Sequence, residues 1–237
     1  TIILKFINVG ANGIYSAANK FSGIYTTIYN IFNLSWVESV ALHLHENGSD
    51  EDFTKLQSTV IKFFSCAFLG LTAIMPFVFK ILVNEKFGAA YYQIPILLAG
   101  AFFSAMTGVL GAYYVAEKMT SVIARMTIMA AILNIGVNLI FVQKFGLYAA
   151  SISTLVAYLV VFILRYLDVR KRFGIKIELK VALGTILMTT IVWISYYSQN
   201  TIWCVMTFAI VCIYSLIMNF QLLKSMIEVI NKKFQKR

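Results

Sequence analysis

Residues 93–115 read QIPILLAGAFFSAMTGVLGAYYV, 23 consecutive positions without one charged side chain. At 1.5 Å of rise per residue, a helix of about 20 apolar residues crosses the roughly 30 Å hydrocarbon layer of a bilayer. Residues here do not alternate in polarity, as a membrane-barrel strand requires. Toward the carboxyl end, similar runs occupy 121–143, 146–167, 180–197 and 202–223; toward the amino end they occupy 59–83 and 11–34. Seven membrane spans are therefore expected. The whole chain agrees: of 237 residues, 60% are hydrophobic and 13% charged, and the mean hydropathy is +0.80. A water-soluble domain of this length cannot bury that much apolar surface. The expected fold class is all-α, a polytopic helical membrane protein with about seven transmembrane helices.

The net charge of +10 sits at the ends of apolar runs rather than on a soluble face, which points to topology and not to nucleic acid. Asp168-Val169-Arg170-Lys171-Arg172, with Lys176, lies between the fifth and sixth runs, and Lys224, Lys232, Lys233, Lys236 and Arg237 follow the seventh. Both stretches are expected on the cytoplasmic side, which puts the amino end outside. The loop 43–58 then falls inside despite Glu46, Asp50, Glu51 and Asp52, because acids contribute little to orientation. Thr1 opens no signal peptide, so the chain is expected to be an internal piece of a longer protein.

Catalytic and metal chemistry find no footing. Cys66, Cys204 and Cys212 lie in apolar runs without C-x-x-C spacing and read as packing residues. His43 and His45 with Glu46 and Asp50 resemble a ligand set in composition, yet no second ligand cluster accompanies them, and no metal is expected. Asn47-Gly48-Ser49 fits the glycosylation pattern but falls on the expected cytoplasmic side. Walker A, G-x-S-x-G and H-E-x-x-H patterns are all missing from the sequence. The expectation is a protein that is not an enzyme and takes no cofactor.

The first run differs from the rest. Asn12, Ser16, Asn19, Gly23, Thr26, Asn30 and Asn33 recur alternately four and three apart, which sets them on one helix face. Lys20 and Thr27 flank this seam, while Tyr15, Phe21, Tyr25, Ile28, Phe32 and Trp36 take the remaining surface. A polar seam in a membrane helix needs a cavity or a helix interface. Lys20 stands about ten residues into the helix, roughly 15 Å from its outer end, beyond easy snorkelling. It reads as a cavity-lining cation, with the partner of an acid on another helix, or a span boundary lying elsewhere, as the alternatives. Glu38 reads as interfacial, with a coupling group as the alternative. Asn134 and Asn138 read as helix-packing amides, Gly146, Ala150, Ser153 and Ala157 as a close-approach stripe, Gly100, Gly108 and Gly111 similarly, and Pro76 as a kink.

The string Gly13-Ile-Tyr15-Ser-Ala-Ala-Asn19-Lys20-Phe-Ser-Gly23-Ile, followed by Phe32-Asn-Leu-Ser-Trp36-Val-Glu38-Ser, resembles the eighth helix of bacterial polysaccharide flippases. Phe87-Gly88-Ala-Ala-Tyr-Tyr-Gln-Ile-Pro95-Ile-Leu97 is similar to that family's entry into its tenth helix. Asn134-Ile-Gly-Val-Asn138-Leu-Ile-Phe-Val-Gln-Lys-Phe145-Gly146-Leu-Tyr-Ala149-Ala150 resembles its eleventh helix, short turn and twelfth. The resemblance is to the O-antigen and capsule (Wzx-type) branch of the multidrug/oligosaccharidyl-lipid/polysaccharide exporter superfamily. It implies the second lobe of a two-lobe exporter fold, with residues 1-167 as the transport lobe and 168-237 as a basic loop, extra hairpin and basic tail. The first lobe would be missing.

What the resemblance implies about function is flipping of an undecaprenyl-pyrophosphate-linked oligosaccharide across the bacterial inner (plasma) membrane. Partners would be that lipid-linked oligosaccharide, membrane lipids, the missing amino-terminal lobe and polysaccharide polymerase machinery, with no nucleic acid. In related lipid II flippases the position matching Lys20 carries a cavity arginine, which implies substrate binding by Lys20; Asn12, Ser16, Asn19, Thr26 and Asn30 would meet the sugars. The alternatives are a cation-coupled drug or metabolite antiporter of the same superfamily, a membrane-embedded polysaccharide polymerase or glycosyltransferase, and a structural membrane subunit. An antiporter is expected to carry an intramembrane carboxylate, and a polymerase a large outside loop; neither is seen in the sequence.

Overall fold

A computed structural model of the chain describes residues 9–45 and 50–235. They form α1 (Val9–His45), α2 (Asp50–Leu82), α3 (Ile94–Ala116), α4 (Thr120–Phe145), α5 (Leu147–Phe173), α6 (Leu179–Ser198), α7 (Thr201–Met218) and α8 (Phe220–Gln235). A 3₁₀ segment, Glu85–Gln93, leads into α3. The fold is all-α, with no strand among the described residues. The sequon Asn47-Gly48-Ser49 and Glu46 lie outside them.

Local chemistry sets the boundaries. Gly146 joins α4 to α5 at φ 53°, and Gly174 ends α5 at φ 70° with its N–H bonded to the Arg170 carbonyl at 3.1 Å; both are left-handed values that glycine adopts without Cβ strain. Asn200 caps α7, its Oδ1 accepting from the Ile202 and Trp203 N–H groups at 3.0 and 3.3 Å. Six of the expected spans are long and apolar enough to cross a membrane. The other, α1, is 37 residues long, but its amides and hydroxyls dilute its apolar character below that of the six. The last expected span, 202–223, breaks at Asn219, whose Nδ2 turns back to the Ser215 carbonyl at 3.1 Å. A separate helix, α8, follows. Proline 76 does not interrupt α2, which runs on to Leu82.

Two compact units result, Thr1–Asp50 with Phe77–Lys176, and Glu51–Pro76 with Ile177–Arg237. The division at 167 and 168 that the resemblance implies stays a proposal. In the first unit α1 packs on α3, α3 on α5, and α5 on α4. Trp36 is buried and donates from Nε1 to the Val109 carbonyl at 3.0 Å, joining α1 to α3. Ala149, Ala150, Ser153 and Ala157 are buried on α5, and Gly100 of α3 sits against Thr154 and Leu155. The small side chains let two backbones approach. Asn134 Nδ2 donates to Thr154 Oγ1 at 3.1 Å between α4 and α5, while the buried Asn138 Oδ1 accepts no bond. Ser151 Oγ donates to Gln93 Oε1 at 2.5 Å, fixing the end of the 3₁₀ segment.

In the second unit α6 and α7 form a hairpin with Cys204 buried and its Sγ directed at the Ser195 carbonyl, 3.5 Å away. The unit's polar clasp is Glu178, just before α6: Ser58 Oγ donates to its Oε1, and Lys62 Nζ lies 3.2 Å from the same atom. The Ser58 hydrogen bond holds the Glu178 carboxyl below the usual range, partly opposed by burial and reinforced by Lys62. A carboxyl depressed on folding stabilises above its unfolded value, about 4.3, and loses that contribution as pH falls through the lower folded value. Because the side chain is 49% exposed, the effect is under about 1 kcal/mol. Melting in detergent at pH 7 and 3.5 should show a small acid loss that Glu178→Gln removes; an equal loss in the variant would sink the assignment.

Candidate functional site

Helix α1 carries three faces, separable because side chains advance about 100° per residue. Ala18, Phe21, Ser22, Tyr25, Tyr29, Trp36 and Val40 are buried, and they form the side packed on α3. About 120° around the helix lies the polar seam. On it Ser16, Asn19, Gly23 and Asn30 are exposed, and Asn12, Thr26 and Asn33 are half-buried. The third face, Ile24, Ile28, Ile31 and Leu42, is apolar and exposed, as a lipid-facing side is. The aromatic and aliphatic residues grouped together in the sequence thus divide, with Phe21, Tyr25 and Trp36 packed and Ile28 open.

Lys20 is exposed at the border between the polar and apolar faces and makes no ion pair among the described residues. Thr27, its neighbour on that border, is exposed too, with Oγ1 donating to the Gly23 carbonyl at 2.9 Å. Glu38 is exposed near the other end of α1. His43 and His45 close the last turn of α1, and no group of three metal-ligating side chains occurs among the described residues.

Internal hydrogen bonds hold the seam to the packed face. Ser22 Oγ donates to Asn19 Oδ1 at 2.8 Å and reaches the Asn19 carbonyl at 2.9 Å. Thr26 Oγ1 donates to the Ser22 carbonyl at 3.0 Å, and the buried Tyr29 hydroxyl donates to Asn33 Oδ1 at 2.7 Å. Each bond orients one seam residue by a neighbour whose position α3 fixes. The seam therefore presents an ordered row of amides and hydroxyls beside one cation. Such a row can bind a ligand with hydroxyls and negative charge.

Sequence reading missed Arg165. Its residue is 4% exposed, on α5, and NH1 donates to the Thr107 carbonyl of α3 at 2.9 Å. The guanidinium carbon lies 5.8 Å from the centroid of the Tyr114 ring, within cation–π range. A Cβ on Gly111 would stand 2.7 Å from NH1, so that glycine makes the niche. Tyr114 donates to Asp168 Oδ2 at 2.7 Å, and Arg172 Nε donates to the same oxygen at 2.8 Å. The missed signal was a charge three positions before the run starting at Asp168, inside an apolar segment; such a charge is not interfacial by default.

No family model and no curated protein matches the sequence. Among solved structures, the chain is similar to the lipid II flippase MurJ in an inward closed conformation, with a TM-score of 0.69 and 16% identity. The match covers 95% of this chain and 50% of that one, so the chain spans about half the length of the flippase structure. At this identity the likeness concerns the fold. With six helices of sufficient length and apolar character among the described residues, the chain is a multi-pass membrane protein whose all-α fold is similar to that of half of this flippase.

Proposed function

We propose that the chain is the second lobe of a Wzx-type flippase that moves an undecaprenyl-pyrophosphate-linked oligosaccharide across a bacterial inner membrane for O-antigen or capsule synthesis. The observation that carries the reading is the polar row on α1, with Lys20, Ser16, Asn19 and Asn30 exposed and Asn12 and Thr26 half-buried beside them. Lys20 offsets the pyrophosphate charge, and the amides and hydroxyls replace water around the sugars. A lysine ammonium is a point charge that tolerates several phosphate orientations, unlike a guanidinium fork. Lipid tails stay among the apolar helices. The fold likeness to a lipid II flippase supports transport over bond-making chemistry, and no acid stands at the centre of a described span to couple a cation.

In this reading 1-167 is the transport lobe, 168-237 carries the basic loop, hairpin and tail, and a first lobe completes the cavity for alternating access. The amino end of this chain lies outside and its carboxyl end in the cytoplasm, and the flippase works in the membrane beside the polysaccharide polymerase machinery. Charge-assisted bonds carry about 1.5–3 kcal/mol and tenfold is 1.4, so Lys20→Ala should cut surface polysaccharide about tenfold or more in a flippase-deficient bacterium carrying the complete transporter. Lys20→Arg should restore it at equal membrane abundance. Full activity of the alanine protein would remove Lys20 from the site.

A further inference from the structure

We propose that α8 lies in the membrane surface as an interfacial helix, its apolar side in the acyl boundary and its lysines against the phosphates of anionic lipids. Helix α8 is 16 residues long, too short and too charged to cross a bilayer. It begins one residue after α7, an apolar span ending at Met218. The chain therefore enters α8 where it leaves the hydrocarbon layer. In its described part, Phe220, Leu223, Met226 and Ile227 are 65%, 36%, 54% and 57% exposed. Their spacing of three and four places them on one side, and Gln221, Lys224, Ser225 and Glu228 fall on the other.

Charge decides between a lipid surface and a protein as the occupant. From Phe220 onward the sequence holds five basic residues, Lys224, Lys232, Lys233, Lys236 and Arg237, against the single acid Glu228. An apolar side, a lysine-rich remainder and a start at the membrane surface are together the pattern of an in-plane helix, attracted by buried apolar area and by anionic headgroups. This inference goes beyond transport and is independent of the cargo.

The test uses the full-length protein in vesicles of phosphatidylcholine with or without 30% phosphatidylglycerol. The exposed Cys212 is replaced by serine and the buried Cys66 and Cys204 are left in place. Nitroxide labels go on Ile227→Cys or Ser225→Cys, both exposed positions that leave the helix packing intact. Oxygen should broaden the label at 227 severalfold more than a nickel chelate does, with the reverse at 225. Neutralising Lys224, Lys232 and Lys233 to glutamine should weaken that contrast only in vesicles with phosphatidylglycerol. Equal access of the chelate to both labels overturns the proposal, as does a label at 227 shielded from both reagents, the signature of a protein partner. A contrast indifferent to phosphatidylglycerol overturns its anionic-lipid part.

Discussion

Gly108→Ala should destabilise the first unit by about 3 kcal/mol, the upper part of the usual range for overpacking. A Cβ built there lies 1.9 Å from the Tyr29 hydroxyl oxygen, 2.6 Å from Cζ and 3.0 Å from Cε1. Tyr29 is 7% exposed and its hydroxyl is bonded to Asn33, so the ring can retreat only by giving up that bond and its packing. Tyr29→Phe removes the nearest atom and leaves Cζ, and the double variant Gly108→Ala/Tyr29→Phe should recover part of the loss. Gly108→Ala/Tyr29→Leu should recover most of it, and the resulting coupling energy isolates the contact. The fraction of protein remaining monodisperse after heating in detergent gives the ranking. Trp36, bonded at the adjacent Val109 carbonyl, reports the same approach by fluorescence. A loss under about 0.5 kcal/mol, typical of an indifferent site, would mean that α1 and α3 are not held this closely. Because Tyr29 also orients Asn33 on the seam, under the proposed function the single variant should lower transport in step with stability.

The helices were legible because lipid imposes a coarse code. The run 93–115 became Ile94–Ala116, and 121–143 became Thr120–Phe145; an apolar segment of that length in a membrane has one low-energy backbone, the helix that satisfies its own hydrogen bonds. The seam on α1 was legible from its period. Which side of α1 packs was not, since Phe21 and Ile28 are equally compatible with lipid and with a neighbouring helix, and only α3 distinguishes them. Glycines 108 and 111 read correctly as sites of close approach, but spacing cannot name Tyr29 and Arg165 as the side chains they admit. Helix α8 was hidden because Phe220, Leu222 and Leu223 prolong the apolar run past Met218, while the break depends on the Asn219 side chain bonding backwards to Ser215. Arg165 was hidden by its nearness to Arg170 and Arg172, from which it differs only in pointing inward.

Arg165→Ala should cost about 3–5 kcal/mol, whereas Arg165→Met should stay within about 1 kcal/mol of the native protein or exceed it. Both variants strip the Thr107 carbonyl of the Arg165 donor, but alanine also leaves a void among α3 and α5. Methionine fills most of the same space and removes the cost of a cation whose Nε is buried without a bond. No carboxylate offsets that cost by contact, because Asp168 Oδ2 is bonded to Tyr114 and Arg172. Eight residues separate Arg165 from the end of α5, about 12 Å of helix, and the side chain turns into the unit instead of reaching back along that distance. Gly111→Ala, which sets a Cβ 2.7 Å from NH1, should destabilise by about 2 kcal/mol with Arg165 present and by far less beside Arg165→Met. Melting of the native protein and the four variants decides it: a methionine variant as unstable as the alanine one would mean that the buried charge is itself stabilising. Comparing transport at matched folding then separates architecture from mechanism. Arg165 is 4% exposed, so under the proposed function a fully folded but transport-deficient Arg165→Met would give the buried guanidinium a part in transport beyond packing.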